Sequence, residues 1–208
     1  MTFKFQDAQF QKRFGEIIVQ AEKPTAILNA AGRAVTRELK NHFQRKNQTQ
    51  ANKLSERRSG FWDQVARSVN QPKRESENSV SVTISDARFA QKLFGGTIHA
   101  KNAGALTIPV EERAYGRTAG TRVADGQPNF EQETGLKLFL VKSGKGSFEN
   151  AVLAVKDSAD SKAFTVEYVL TPAVDQKADP DALPPKATLE AAILVQGQIT
   201  LNHQLDKK

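Results

Sequence analysis

Apolar residues recur at helical spacing over the first third of the chain and at strand spacing further on. Phe10, Phe14, Ile17 and Ile18 share one helical face, with Asp7 placed to cap, so the pattern predicts a first helix over about 7–22, ended by Pro24. Thr25 can cap a second helix, in which Ile27, Ala31, Val35, Leu39 and Phe43 form a stripe every four residues, with Arg33, Arg37, Glu38 and Lys40 off it. Residues 46–58 are polar, basic and aperiodic, and read as an exposed loop. Ser59 and Gly60 then lead into a third helical run with Phe61, Trp62, Val65 and Val69 on one side, stopped by Pro72.

After residue 78 the period changes to two. Val80, Val82 and Ile84 alternate with Ser and Thr, as in a strand with one buried face. A short helix or turn over 86–94, capped by Asp86 and stopped by Gly95, precedes a run from Phe94 to Val110 that reads as a β-hairpin. Gly95 and Gly96 give positive-φ freedom at its start, and Asn102-Ala103-Gly104 suits its turn. Pro109 has no amide hydrogen, so the second leg ends there or lies at an edge. Residues 111–135 are rich in Gly and Pro and read as a long loop; 136–141, 151–155 and 164–170 read as strands, with a turn at Ser143-Gly144-Lys145-Gly146-Ser147. A Pro/Asp-rich connector over 172–185 leads to a helical pattern over 187–205, weakened at Gly197. The fold class is therefore α+β: amphipathic helices, a small antiparallel sheet with a long hairpin and loop, then a C-terminal helical arm. The expectation is a single domain over 1–208, with a helical part at about 7–72, a β part at about 79–171 and an arm at about 172–208.

The net charge of +7 over 208 residues is concentrated in one place. From Arg33 to Arg74 eleven basic residues face three acids, giving +8 and leaving the remainder close to neutral. Such a field suits phosphates or an acidic protein surface, and it also fits a solvated helix face. The chain has no cysteine, which excludes disulfides and thiolate metal sites and fits a reducing cytoplasm. Neither a membrane span nor an export signal is legible.

The chemistry expected of an enzyme is not legible either. His42, His99 and His203 lie far apart, Gly144-Lys145-Gly146-Ser147 lacks the Gly-x4-Gly-Lys-Ser/Thr spacing, and the acidic pairs Glu111-Glu112 and Asp179/Asp181 fall in loops. The expectation is a non-enzymatic protein with no cofactor and no catalytic or metal site. No helix-turn-helix follows the basic helix, so any contact with nucleic acid is expected through phosphates, independent of sequence.

Several short runs carry a resemblance when taken in order. They are Ala30-Ala31-Gly32-Arg33-Ala34-Val35, Asn52-Lys53-Leu54, Phe61-Trp62, Ala66-Arg67-Ser68 and Asp86-Ala87-Arg88. Gly95-Gly96-Thr97-Ile98, Ala100-Lys101-Asn102-Ala103 and Leu106-Thr107-Ile108-Pro109 follow, then Ala114-Tyr115-Gly116-Arg117 and finally Ala178-Asp179-Pro180-Asp181-Ala182-Leu183-Pro184-Pro185. This collinear set resembles the phage virion morphogenesis family, the tail-completion proteins of Mu-like phages and prophages; residues 136–155 and the tail after Ala187 depart from its pattern. The resemblance implies a structural virion protein of the tail or neck, assembled in the host bacterial cytoplasm, that completes or terminates the tail and helps join it to the head. It implies a closed ring, often sixfold, contacting tail tube and neck or connector proteins, with passive contact with packaged DNA. On that reading Arg33, Arg37, Lys40, Arg45, Lys46, Lys53, Arg57 and Arg58 would face the DNA channel or a partner, and the hairpin residues Gly95, Gly96, Lys101, Asn102 and Pro109 would serve assembly. The alternatives are a sequence-independent DNA-binding protein or another neck or connector component.

Overall fold

A computed structural model of the chain describes residues 8–21, 23–50, 60–101, 104–120, 128–142, 151–156 and 163–206. The chain divides into two compact units, one formed by the described residues of 1–50, 60–95 and 178–208, the other by those of 96–177. The class is α+β, as the sequence predicts, with small antiparallel sheets of two to four strands.

The first unit is organised by its second helix. After α1 (Ala8–Val19), α2 runs from Pro24 to Thr49. Pro24 therefore opens α2 rather than only closing the helix before it, because at the first helical position its missing amide hydrogen has no partner to lose. The predicted stripe is inside: Ile27, Leu39 and Phe43 are fully buried, and Ala31 and Val35 nearly so. Against α2 pack α6 (Lys186–Leu205), α3 (Phe61–Arg67), the strand Ser79–Ser81 and α1. At one end of the core Phe43 lies 5.9 Å from the Trp62 ring and 5.3 Å edge-on to Phe89 of α4 (Ala87–Phe94). Asp86 caps α4 by accepting from the Arg88 amide, and Gly95 closes it at φ 71°, both as the sequence predicts.

Three expectations in this unit are corrected. The segment taken as a loop from residue 46 is helical as far as Thr49, while 51–59 lies outside the described residues. The alternating strand near residue 80 is the second leg of a hairpin, β1 (Lys73–Ser76) with β2 (Ser79–Ser81), whose first leg is exposed throughout and so carries no apolar alternation. The C-terminal helix is no free arm: Leu189, Ile193, Gly197 and Leu201, spaced by four, are buried, and Gly197 is where Phe14 of α1 comes close.

The second unit holds a four-stranded sheet in the order β4-β7-β6-β5, formed by β4 (Leu106–Pro109), β5 (Phe139–Val141), β6 (Val152–Lys156) and β7 (Phe164–Thr171). A separate pair joins β3 (Gly96–His99) to β8 (Ala173–Gln176). The predicted hairpin is thereby overturned: its two legs do not pair with each other. Leu106 faces Thr171 and Pro109 faces Tyr168, whereas Gly96 faces Gln176 and His99 faces Ala173. Residues 96–99 run antiparallel to 173–176 and residues 106–109 to 168–171; the two ladders are separated at Pro172, which has no amide to give to a ladder but whose carbonyl accepts from Ala100. Two four-residue legs paired together would bury little, whereas β4 against β7 joins a sheet with a core. Pro109 ends β4 at the sheet edge, as its chemistry requires. Asn102 and the turn at 143–147 lie outside the described residues. The connector begins as strand β8, and the long loop contains a 3-10 turn (Glu112–Ala114) and α5 (Phe130–Thr134), capped by Asn129. Ala114, Phe130, Val155 and Tyr168 form the core beneath the sheet.

The close approach of α2 and the β1–β2 hairpin yields a test. A Cβ on Gly32 would stand 2.5 Å from Pro72 Cβ and 2.7 Å from Val80 Cγ1. Gly32→Ala gains about 1 kcal/mol of helix propensity but overpacks this contact at a cost of about 1–3 kcal/mol. We expect net destabilisation in denaturant titrations; an unchanged or raised midpoint would show that the hairpin does not rest on this glycine.

Candidate functional site

Because successive residues of an α-helix turn by about 100°, burying the 27-31-35-39-43 stripe sets Arg33, Arg37, Lys40, Asn41 and Gln44 on roughly the opposite side of α2. There they converge. With Thr36 and with Gln71 from the segment after α3 they line an open depression of about 360 Å³. Arg33 and Arg37 are exposed and Lys40 is half-buried. The nearest carboxylate to Arg37 is Glu38 at 4.0 Å, and neither Arg33 nor Lys40 has an acidic partner among the described residues. Thr36 Oγ1 donates to the Gly32 carbonyl, so its hydroxyl hydrogen is held by the helix. The result is a row of three cations over about 10 Å of helix, with primary amides beside them.

The other predicted basic residues do not join this row. Arg45 is exposed and lies outside the groove lining. Lys46 is committed to structure: its Nζ donates to Asp179 Oδ2 at 3.1 Å and to the Asp181 carbonyl at 2.9 Å, and stands 4.6 Å over the Trp62 ring. His42 Nε2 lies 3.0 Å from that same carbonyl and donates to it. Burial lowers the His42 pKa, opposed by its bond to the Asp181 carbonyl and reinforced by the charges of Lys46 and Arg45. Asp179, expected to be solvated in a loop, is thus part of the clamp holding the Pro-rich connector on the end of α2, with its side chain only 14% exposed. Lys53, Arg57 and Arg58 lie outside the described residues.

The hairpin candidates are also dispersed by the topology. Gly95 and Gly96 have φ of 71° and 119°, a geometry that only glycine adopts readily; they carry the chain from α4 into β3. Lys101 is exposed between the two ladders, and Pro109 stands at the far end of β4.

A polar cluster in the second unit was not foreseen. Leu153 pairs with Tyr168 but Ala154 pairs with Val166, so Glu167 is the extra residue of a β-bulge. Its side chain is fully buried, and Arg113 donates to Oε1 through Nε at 2.6 Å and also through Nη2. Oε2 has no hydrogen-bond partner among the described residues. Next to it Tyr168 shares its hydroxyl hydrogen between the carbonyls of Ala114 and Arg117, 3.2 Å from each. Arg117 donates to Glu133 and to the Arg113 carbonyl. The depression of about 620 Å³ lined by Glu111, Glu112, Arg113, Arg117 and Thr165 holds two carboxylates and two guanidiniums, and both guanidiniums are already engaged, with Glu167 and Glu133. These bonds staple the 3-10 turn to the bulged strand. No sequence signal marks a bulge, whereas Asn41 and Gln44 could have been found from their helical phase with Arg33 and Arg37.

Among the described residues no three His, Asp or Glu side chains converge as a metal site, and no helix is long and apolar enough to cross a membrane. No protein-family model, no curated protein and no solved structure matches the chain.

The staple has a signature at high pH. Burial first, and the charge of Glu167 second, push the Tyr168 phenol up to about 12 from its ordinary 10.0. The unfolded chain therefore releases this proton first, so the stability linked to it is full below pH 10 and is lost as pH rises from 10 towards 12. Thermal midpoints of the wild type should fall more steeply over this interval than those of Tyr168→Phe; parallel curves would mean that the phenol is not held as described.

Proposed function

We propose that the chain is a structural subunit of a phage or phage-derived particle, acting at the head-proximal end of the tail or at the head-to-tail junction. There it completes the tail and helps join it to the head, as a copy in a closed ring, often sixfold in such assemblies, and in contact with tube and neck or connector proteins. The observation that carries the reading is the collinear set of short runs, from Ala30-Ala31-Gly32-Arg33 through Gly95-Gly96-Thr97-Ile98 and Leu106-Thr107-Ile108-Pro109 to the Asp179–Pro185 connector, that resembles the virion morphogenesis family. Further support comes from β4, which among the described residues is an edge strand of the sheet, and a free edge is a common means of binding a neighbouring chain. A second reading, a sequence-independent DNA-binding protein acting outside a particle, is favoured by the cation row on α2.

Antibodies to the chain should label purified particles at the neck, and deleting its gene should leave heads and tails unjoined or tails of abnormal length. Particles that lack the chain and form normally after its deletion would overturn the structural reading.

A further inference from the structure

We infer that the groove of Arg33, Arg37, Lys40, Asn41, Gln44 and Gln71 binds the phosphodiester backbone of duplex DNA, without reading its sequence. This deepens the structural reading and rests on it for its setting in a particle, but the groove has its own chemistry.

The lining decides between the ligand classes that a basic field admits. Every residue in it is polar, with no aliphatic or aromatic side chain to anchor a protein partner. Protein interfaces draw most of their binding energy from such anchors at a desolvated centre, so an acidic protein would find a rim here without a core. A phosphate backbone needs no anchor. It needs cations in a row, and amide or guanidinium hydrogens to fix register. The row of three spans about 10 Å, more than one phosphate ion fills, which favours a polyanion over a free phosphate. Base stacking has no platform in this lining, which holds no aromatic ring. A single strand therefore gains nothing over a duplex. The charges stand on α2, whose other face is locked into the core, so little ordering is lost on binding.

The test is fluorescence anisotropy of the full chain with a labelled duplex of about 30 base pairs at salt between about 50 and 200 mM. Three phosphates neutralised by the groove contribute a slope of about 2.7 in log affinity against log salt. The triple variant Arg33→Gln, Arg37→Gln and Lys40→Gln should lose that slope. Over this range the wild type should therefore weaken on the order of 40-fold more than the variant. A control of equal charge change, Lys137→Gln, Lys156→Gln and Lys177→Gln at exposed positions of the other unit, should keep the wild-type slope. All three proteins should share one thermal midpoint, since none of these side chains is in the core.

Absence of duplex binding by the wild type, equal slopes for the groove and control variants, or tighter binding of a single strand of the same length would each overturn the inference. Competition by inorganic phosphate at equal phosphate concentration would overturn the polyanion assignment. A chain that enters particles but does not bind duplex would defeat this inference alone; one that binds duplex but is absent from particles would defeat the structural reading alone.

Discussion

The burial of one face of α2 is the constraint on which the first unit depends. Ile27, Leu39 and Phe43 have no exposed surface, and each contributes about 1.5–3 kcal/mol by leaving water. That gain is realised only if other elements cover the stripe. Helix α6 does so with its own residues at spacing four, α3 and α4 bring Trp62 and Phe89 against Phe43, and the β1–β2 hairpin closes on Gly32. Once the stripe is fixed inward, the helical repeat leaves no freedom for the far side: Arg33, Arg37 and Lys40 must form a row facing solvent. The basic groove is the geometrical complement of the core.

In the second unit the governing feature is irregularity in strand pairing. Pro172 separates β7 from β8, so one stretch of chain serves two ladders, and the extra residue at Glu167 turns a carboxylate inward beside Tyr168. A buried carboxylate is costly unless it is paired. Arg113 supplies the pairing and in doing so fixes the 3-10 turn, while Tyr168 holds the carbonyls of Ala114 and Arg117. This cluster consumes its charges internally, whereas Arg33 and Lys40 keep theirs without acidic partners among the described residues.

Helical periodicity was the part of the fold most legible in the sequence. The α2 stripe, the Asp86 and Gly95 caps of α4 and the strands β6 and β7 follow from local pattern, because each carries its periodicity or its cap in its own residues. Strand partnership was not legible. The Asn102-Ala103-Gly104 run is a good local turn signal, yet the flanking legs pair with residues about 60–80 positions away, since only that arrangement gives them a sheet. The site was half legible for a related reason. The cations of α2 could be placed from their phase, but Lys46 is taken from the basic set by Asp179, 133 residues distant, and Gln71 enters the groove from another element. Charge counting cannot distinguish a lysine committed to a clamp from one facing solvent.

The face of α2 opposite the core is proposed as a preformed surface for a phosphate backbone. It is tested most directly by titrating the isotope-labelled chain with duplex DNA and following backbone amide and Arg/Lys side-chain resonances. Shifts should concentrate on residues 33–44 and Gln71, with the Glu111–Arg117 region unperturbed. Shifts centred on that second region, or dispersed over the surface with none along α2, would contradict it.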